Sequence, residues 1–272
     1  MENTLINNKL DYLIDNKEIF FDAVKKAQNI ILFLDYDGTL IPFKNNPNEV
    51  HTPNNVLQLI QKLSEKSSIK IVVITGRSLN DIKHLISINR ISFAAVHGIH
   101  IQFFDGKEKI LKNIDEIKIK LNQIKEALEK TLKNIDGVII EDKQYSIAFH
   151  YRMVKEENLN DSIQKFKQTI TKYFDDNIEI MKGDKVFEVR PKGWNKGNAV
   201  EFFLHKTNLR KDSLPIYIGD DTTDEDAFKY LKNKGLTVFV KNNSALKTNA
   251  HYWVNNPSEV YDILCEISEI KK

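Results

Sequence analysis

A series of short apolar runs, each stopped abruptly by polar residues, constrains this chain more than any other feature of it. Ile30 to Leu34 ends in Asp35-Tyr36-Asp37-Gly38, Ile69 to Ile74 in Thr75-Gly76, Ile91 to Val96 in His97-Gly98, and Ile216 to Ile218 in Gly219-Asp220-Asp221. A short β-branched run without alternation, ended by polar residues and glycine, marks a strand buried on both faces. Segments with helical spacing lie between the runs: Val56 to Leu63, Asp81 to Ile88, Asn195 to His205 and Thr223 to Leu231. Strands and helices alternating in this order give a parallel sheet with helices on both faces, a doubly wound, Rossmann-like α/β core. Leu236 to Val240 and His251 to Val254 read as further strands; Leu10 to Gln28 and Pro257 to Ile267 read as the first and last helices.

The rhythm changes in mid-chain. Ile114, Ile117, Leu121, Ile124, Leu128, Leu132 and Ile135 recur at helical intervals, the signature of a long amphipathic helix. Strand-like Val138 to Ile140 and Tyr145 to Arg152 follow, then a second helix carrying Leu159, Ile163, Phe166, Ile170 and Phe174. Two more strands, Ile178 to Met181 and Val186 to Arg190, meet at the turn signal Gly183-Asp184. Helix, two strands, helix, two strands is an α+β module with internal half-similarity. The expected organisation is therefore a discontinuous core, residues 1–105 and 191–272, with an inserted α+β cap at 106–190. A length of 272 residues accommodates one domain plus such an insertion.

Composition narrows the function classes. The formal net charge is only +2, which argues against a general nucleic-acid binder, since phosphate-backbone affinity needs a basic patch or stripe. Cys265 is the single cysteine, so there is no internal disulfide and no cysteine-built metal site; this fits a reducing cytoplasm, with Cys265 read as a small buried residue of the last helix. The N-terminus lacks the apolar segment of a signal peptide, and no stretch approaches the ~20 apolar residues of a membrane span. A soluble cytoplasmic protein is expected.

Asp35 and Asp37 share one side of the chain where the first core strand ends. Ligands of open α/β sheets bind beyond the carboxyl ends of the strands, where Thr75, His97, Asp220 and Asp221 also lie. Carboxylates converging on one crevice call for a cation, and oxygen-only ligation suits magnesium. Lys196, in the first turn of its helix, adds an ammonium and free N–H groups that favour an anion.

Asp35-Tyr36-Asp37-Gly38-Thr39-Leu40, Thr75-Gly76-Arg77, Asn195-Lys196-Gly197 and Gly219-Asp220-Asp221-x-x-Asp224 resemble, in order, the motifs of the haloacid dehalogenase superfamily. Within it the chain resembles the trehalose-6-phosphate phosphatase family. That closer resemblance rests on Val96-His97-Gly98, Lys143-x-x-Ser146-x-Ala148-x-His150-Tyr151-Arg152, Glu188-Val189-Arg190-Pro191, and Gly219-Asp220-Asp221-Thr222-Thr223-Asp224-Glu225-Asp226-Ala227-Phe228. Trp194 departs from the smaller residues common before Asn195. The resemblance implies hydrolysis of trehalose 6-phosphate with magnesium: Asp35 as nucleophile, Asp37 as general acid and base, and Thr75, the Gly76 N–H and Lys196 on the phosphoryl oxygens. It further implies Asp35, the Asp37 carbonyl and Asp220 around the metal, with Asp221 and Asp224 orienting groups behind them. Substrate contacts would come from Gly76, Arg77, His97, Gly98, Lys143, His150, Arg152, Glu188 and Arg190. No glycosyltransferase-like half precedes these motifs, so functional coupling to a separate trehalose-6-phosphate synthase is expected.

Independently of the resemblance, alternation places Ile147, Phe149 and Tyr151 on one face of a cap strand and Ser146, Ala148, His150 and Arg152 on the other. Phe187 and Val189 likewise oppose Glu188 and Arg190. One cap face is apolar, for helices, and the other is suited to hydroxyl and phosphate recognition. Simpler readings stand beside these. Thr222-x-x-Glu225 is a capping-box pattern, and Asp224 fits capping as well as chemistry. Arg77 fits a surface ion pair, His97 a wall position, and Glu188 with Arg190 a cross-strand pair. His51, His84 and His205 read as surface residues. The rival functions are a related phosphatase for sucrose, mannosyl-glycerate or hexose phosphates, a receiver-type signalling module, and a non-catalytic sugar-binding protein.

Overall fold

The computed structural model describes residues 10–44, 49–110, 114–206, 213–241 and 247–271; the first residues, on which the signal-peptide reading partly rests, lie outside them. The chain divides into two compact units, residues 1–109 with 195–272, and residues 110–194. The division falls a few residues later at each end than the sequence pattern suggests. The entering chain is still held in the first unit's sheet by a strand ending at Ile110. On the way out, the Lys192 N–H donates to the Asn177 carbonyl within the second unit.

In chain order the first unit opens with β1 (Asp11–Tyr12), α1 (Lys17–Lys26), β2 (Asn29–Leu34), α2 (Asn54–Ser64), β3 (Ile69–Ile74), α3 (Leu79–Leu85), β4 (Ser92–Ala95), β5 (His100–Gln102) and β6 (Glu108–Ile110). The second unit contains α4 (Asp115–Leu132), β7 (Ile139–Asp142), β8 (Ile147–His150), α5 (Glu156–Thr171), β9 (Ile178–Gly183) and β10 (Val186–Pro191). The first unit is completed by α6 (Lys196–Lys206), β11 (Ser213–Gly219), α7 (Glu225–Leu231), β12 (Leu236–Val240), β13 (Tyr252–Val254) and α8 (Pro257–Ile270).

Among the described residues the first unit holds a nine-stranded sheet in the order β1-β13-β12-β11-β2-β3-β4-β5-β6. From β1 to β4 every pairing is parallel, and β2 lies between β11 and β3. Ile30 through Leu34 are all buried, as the unbroken apolar run requires. Phe33 meets Phe203 of α6, and its neighbour Tyr217 meets Phe228 of α7, so these two helices cover that face of the sheet. Helices α1 and α2 pack with α8 as a second layer. This is the doubly wound α/β fold that the strand–helix rhythm implies.

Three details depart from the sequence pattern. The start of the expected first helix is instead strand β1, where Asp11 and Tyr12 pair with Tyr252 and Trp253. The Tyr12 hydroxyl donates to Glu259 at 2.8 Å, and its ring lies 4.5 Å from that of Trp253. Two residues carry no periodicity, so only the distant partner makes them a strand. At the other edge, β5 turns back antiparallel to β4, extending a sheet whose sequence pattern is parallel throughout. Cys265 on α8 is half-buried rather than buried.

In the second unit the sheet order is β7-β8-β10-β9, and its three pairings are antiparallel. Phe149 and Phe187 both stack on Phe166 of α5, with centroids 4.9 and 5.3 Å away, and Tyr151 stacks on Phe187. The apolar face expected from alternation therefore packs on the helices, and the polar face turns the other way. No helix among the described residues is long and apolar enough to cross a membrane.

Candidate active site

Three buried carboxylates converge at the carboxyl ends of β2 and β11. Asp35, Asp220 and Asp224 each present an oxygen within 4.8 Å of the others. Lys196, the first residue of α6, reaches into the group, its Nζ donating to Asp35 Oδ1 at 2.7 Å and to Asp224 Oδ1 at 2.8 Å. The Asn195 side chain accepts from the Asn198 N–H, capping the helix that carries this lysine. The Thr39 hydroxyl lies 3.4 Å from Asp220 Oδ1. Gly38 is held at φ +83°, and a Cβ there would come within 2.2 Å of the Asp220 carboxylate; only glycine leaves room for Asp220 to lie against this turn.

This charge balance is uneven. Burial, Asp224 and Asp37 push the Asp35 carboxyl up to about 7, against the pull of Lys196. Burial, followed by Asp35 and Asp224, holds Asp220 well above the usual carboxylate range. Burial would lower Lys196, but Asp224 and Asp35 raise it above an ordinary lysine. Asp221 behaves differently: burial works against its charge, yet Lys196 and the Thr222 hydroxyl keep it below its ordinary value. A compact group of oxygen donors of this kind is suited to a hard divalent cation.

Asp224 is closer to this centre than the orienting role behind it implies, but its oxygens are already occupied. Oδ1 accepts from Lys196 and from the Tyr217 hydroxyl, and Oδ2 accepts from the Asp221 N–H at 3.0 Å. The capping box of the turn Thr222–Asp224 pairs Asp221 with Asp224, not Thr222 with Glu225 as the sequence pattern suggests. Glu225 instead accepts from the backbone and side chain of Asn249.

Asp37 is held apart from the three. Arg77 grips it bidentately, at 2.7 and 2.8 Å, while its third nitrogen donates to Asp81 at 2.6 Å. The guanidinium carbon lies 5.6 Å from the centre of the Tyr36 ring. Arg77 thus pairs with acids, as its simpler reading has it, although one of them is the expected general acid. Thr75 is buried, and its hydroxyl accepts from the Arg77 N–H. Val96 and His97 are both left-handed, at φ 48° and 55°, a strained conformation for a β-branched residue. The bonds Val96 N–H to Arg77 carbonyl and His97 N–H to Thr75 carbonyl hold them there. A Cβ on Gly76 would meet the His97 ring at 2.8 Å, so the ring is a wall against this loop. Gly98, at φ +102°, completes the turn.

On the polar face of the second unit, Glu188 is 2% exposed and accepts from Lys143 Nζ at 2.8 Å and Ser146 Oγ at 2.6 Å. Glu141 and Glu188 both pair with Ala148, one from each side of β8, and Glu141 lies 2.7 Å from His150 Nε2. Arg190 bonds to Glu179 directly across the strands at 2.8 Å, so a Glu188–Arg190 pair is not what forms. Arg152 donates to the carbonyl and carboxylate of Asp184 in the β9–β10 turn, apart from the Glu188 group. Glu141 lies between the two strand-like runs and is not among the residues expected to contact substrate; its shared parity with Lys143 is the signal in the sequence that could have found it. The sequence reading also missed Tyr217, a polar tip inside an apolar run. His51, His84 and His205 are exposed, as expected.

The family model for trehalose-phosphatase matches residues 33–258, from β2 to the start of α8. The chain belongs to the trehalose-phosphatase family. A trehalose 6-phosphate phosphatase of Zea mays is 29% identical over 265 residues, covering 92% of this chain and 72% of that protein. Trehalose-phosphate phosphatase B of Arabidopsis thaliana is 30% identical over 259 residues, covering 91% and 68%. Among solved structures, the C-terminal domain of a Candida albicans trehalose-6-phosphate phosphatase superposes with a TM-score of 0.82 at 23% identity, covering 97% of this chain and 99% of that one. At that identity the likeness speaks for the fold. Every group described above except the wider strand framework lies within the matched residues.

Proposed function

We propose that this chain is a magnesium-dependent phosphatase that hydrolyses trehalose 6-phosphate to trehalose and phosphate, with the first unit catalytic and the second acting as its cap. The observation that carries the reading is the Asp35–Lys196–Asp224 arrangement beside Asp220, within residues matched by the family. In the first step an Asp35 oxygen attacks phosphorus, the phosphorus–sugar oxygen bond breaks, and Asp37 gives its proton to the departing oxygen. In the second step Asp37 takes a proton from water, the water oxygen attacks phosphorus, and Asp35 leaves as a carboxylate. Thr75, the Gly76 N–H and Lys196 hold the phosphoryl oxygens where charge persists in the transition state.

Asp35, Asp220 and the Asp37 carbonyl would hold magnesium, which supplies charge stabilisation between anionic nucleophile and anionic substrate. The donors fit: all are oxygens, the Asp35 and Asp220 carboxylates are buried, and both carboxyls are raised, so a cation beside them would offset the cost of their charge. Asp224 and Asp221 orient Lys196 and the turn behind it. Both Asp37 oxygens are engaged by Arg77, so that fork opens at one oxygen when Asp37 serves the sugar. Arg77 is accordingly read as a residue that positions Asp37 rather than as a sugar contact.

The polar face with Glu141, Lys143, His150 and Glu188 is read as the sugar-recognising surface, and Arg190 as its support through Glu179. The substrate would come from a separate trehalose-6-phosphate synthase, and the lone cysteine fits a cytoplasmic enzyme. Phosphate release across trehalose 6-phosphate, sucrose 6-phosphate, mannosyl-glycerate phosphate and glucose 6-phosphate, with and without magnesium, tests the reading. The expected result is magnesium-dependent release with a preference for trehalose 6-phosphate; equal rates on all substrates would reduce it to an unassigned sugar phosphatase.

A further inference from the structure

Asp224 is fully buried, and its carboxylate accepts from three donors among the described residues. One of these is the hydroxyl of Tyr217, at 2.5 Å from the same oxygen, Oδ1, that Lys196 approaches at 2.8 Å. Tyr217 has no freedom to do otherwise. Its ring is fully buried on β11, stacks on Phe33 at 6.4 Å and receives Phe228 edge-on at 5.6 Å. Gly219, two residues on, leaves the space that the Asp224 carboxylate occupies: a Cβ there would come within 2.3 Å of it. The aromatic clamp and the missing side chain together fix where the hydroxyl and the carboxylate meet.

Lys196 stands between two buried acceptors, Asp35 on one side and Asp224 on the other. A buried carboxylate draws whatever donors it has, because nothing else there offsets its desolvation. If Lys196 alone served Asp224 Oδ1, the ammonium would be pulled away from Asp35 and from phosphoryl oxygens beside it. A second donor on the same oxygen shares that demand. We propose that Tyr217 is a positioning residue for phosphoryl transfer, its hydroxyl holding Asp224 so that Lys196 stays directed at the reacting side. The inference rests on the reading of Lys196 as the cation that holds the transferring group.

Tyr217→Phe keeps the ring and removes only the hydroxyl, so packing is preserved. With magnesium saturating, kcat should fall by about ten- to a hundredfold, the effect of losing one hydrogen bond to a charged group. KM should change by no more than about twofold, because Thr75 and the Gly76 N–H still hold the substrate phosphate. The loss should be the same on trehalose 6-phosphate and on p-nitrophenyl phosphate, since the defect lies on the phosphoryl side and not at the leaving group. In a Lys196→Ala background the same substitution should cost nothing further. The background comparison is read both as turnover and as inhibition by orthovanadate, so that slow turnover does not hide the outcome.

A Tyr217→Phe protein with unchanged kcat and only a lower melting temperature would reduce the hydroxyl to a structural bond and overturn the inference. So would a full loss that persists in the Lys196→Ala background. Wild-type turnover in Lys196→Ala alone would overturn the reading of the site itself, a different failure that the single variant identifies.

Discussion

The two polar clusters of this protein are built on opposite charge plans. In the first unit Asp35, Asp220 and Asp224 crowd around one lysine, and burial, joined by the neighbouring carboxylates, raises Asp35 and Asp220 above ordinary carboxylates. In the second unit each acid of the polar face has a basic partner within reach: Glu188 has Lys143, Glu141 has the His150 ring, Glu179 has Arg190 and Asp184 has Arg152. Burial works to raise Glu141, yet Lys143 and His150 hold it below its usual value. An unbalanced cluster is suited to take up a further cation and a group undergoing charge transfer. A balanced one presents fixed donors and acceptors to uncharged hydroxyls without drawing in an ion. On the proposed reading, raised carboxyls would distinguish the reacting centre from a recognition surface of similar residue types.

The largest effects should fall on the unbalanced side. Asp35→Asn should lower turnover by about 10⁴-fold or more while the protein stays folded, because an amide does not attack phosphorus; near-wild-type rates with an intact circular dichroism spectrum would end the covalent reading. Asp37→Asn should cost roughly 10²–10⁴-fold on the sugar phosphate, and distinctly less on p-nitrophenyl phosphate, whose leaving group needs little protonation. Equal losses on both would mean that Asp37 serves the metal alone.

On the balanced side the effect should be selective. Glu188→Ala removes an acceptor for two buried donors, and the specificity constant for trehalose 6-phosphate should fall by about one to two decades. That for p-nitrophenyl phosphate should barely change, so the ratio of the two constants is the quantity to measure. Melting temperature should also drop by several degrees, since the variant leaves Lys143 buried without its carboxylate. An unchanged ratio would detach this face from the substrate.

The smallest effect is the sharpest test of the contrast. Asp35 titrates near 7 in the folded protein, against about 3.9 when unfolded. A carboxyl raised by folding contributes most below the unfolded value, and that contribution is lost as pH climbs from about 4 to about 7. On the proposed reading magnesium would bind the ionised form, so its stabilising shift in melting temperature should grow over that same window, small at pH 5 and full at pH 8. Scanning calorimetry with and without magnesium measures this directly. A shift of equal size at both pH values would show that the first cluster is no less balanced than the second.

By itself the sequence determined the inner parallel strands, the strands of the insertion and most of the helices, but not β1, β5 or β6 at the sheet edges. Unbroken apolar runs and helical spacing are properties of neighbouring residues, and burying them leaves few arrangements. Alternation equally determined which face of the second unit packs on its helices, as Phe149 and Phe187 on Phe166 bear out. Tertiary structure alone decided the partners. Arg77 meets Asp37 across 40 residues, Lys196 meets Asp35 across 161, and Tyr12 meets Glu259 across 247. Tyr217 lies only seven residues from Asp224, yet their bond depends on the turn between them and the space at Gly219. Residue type limits what a side chain can bond to, but register, crossover and turn decide which acceptor lies within 3 Å. That is why the sequence could name the chemistry, while the fold had to choose which carboxylate holds the lysine and which arginine holds the acid.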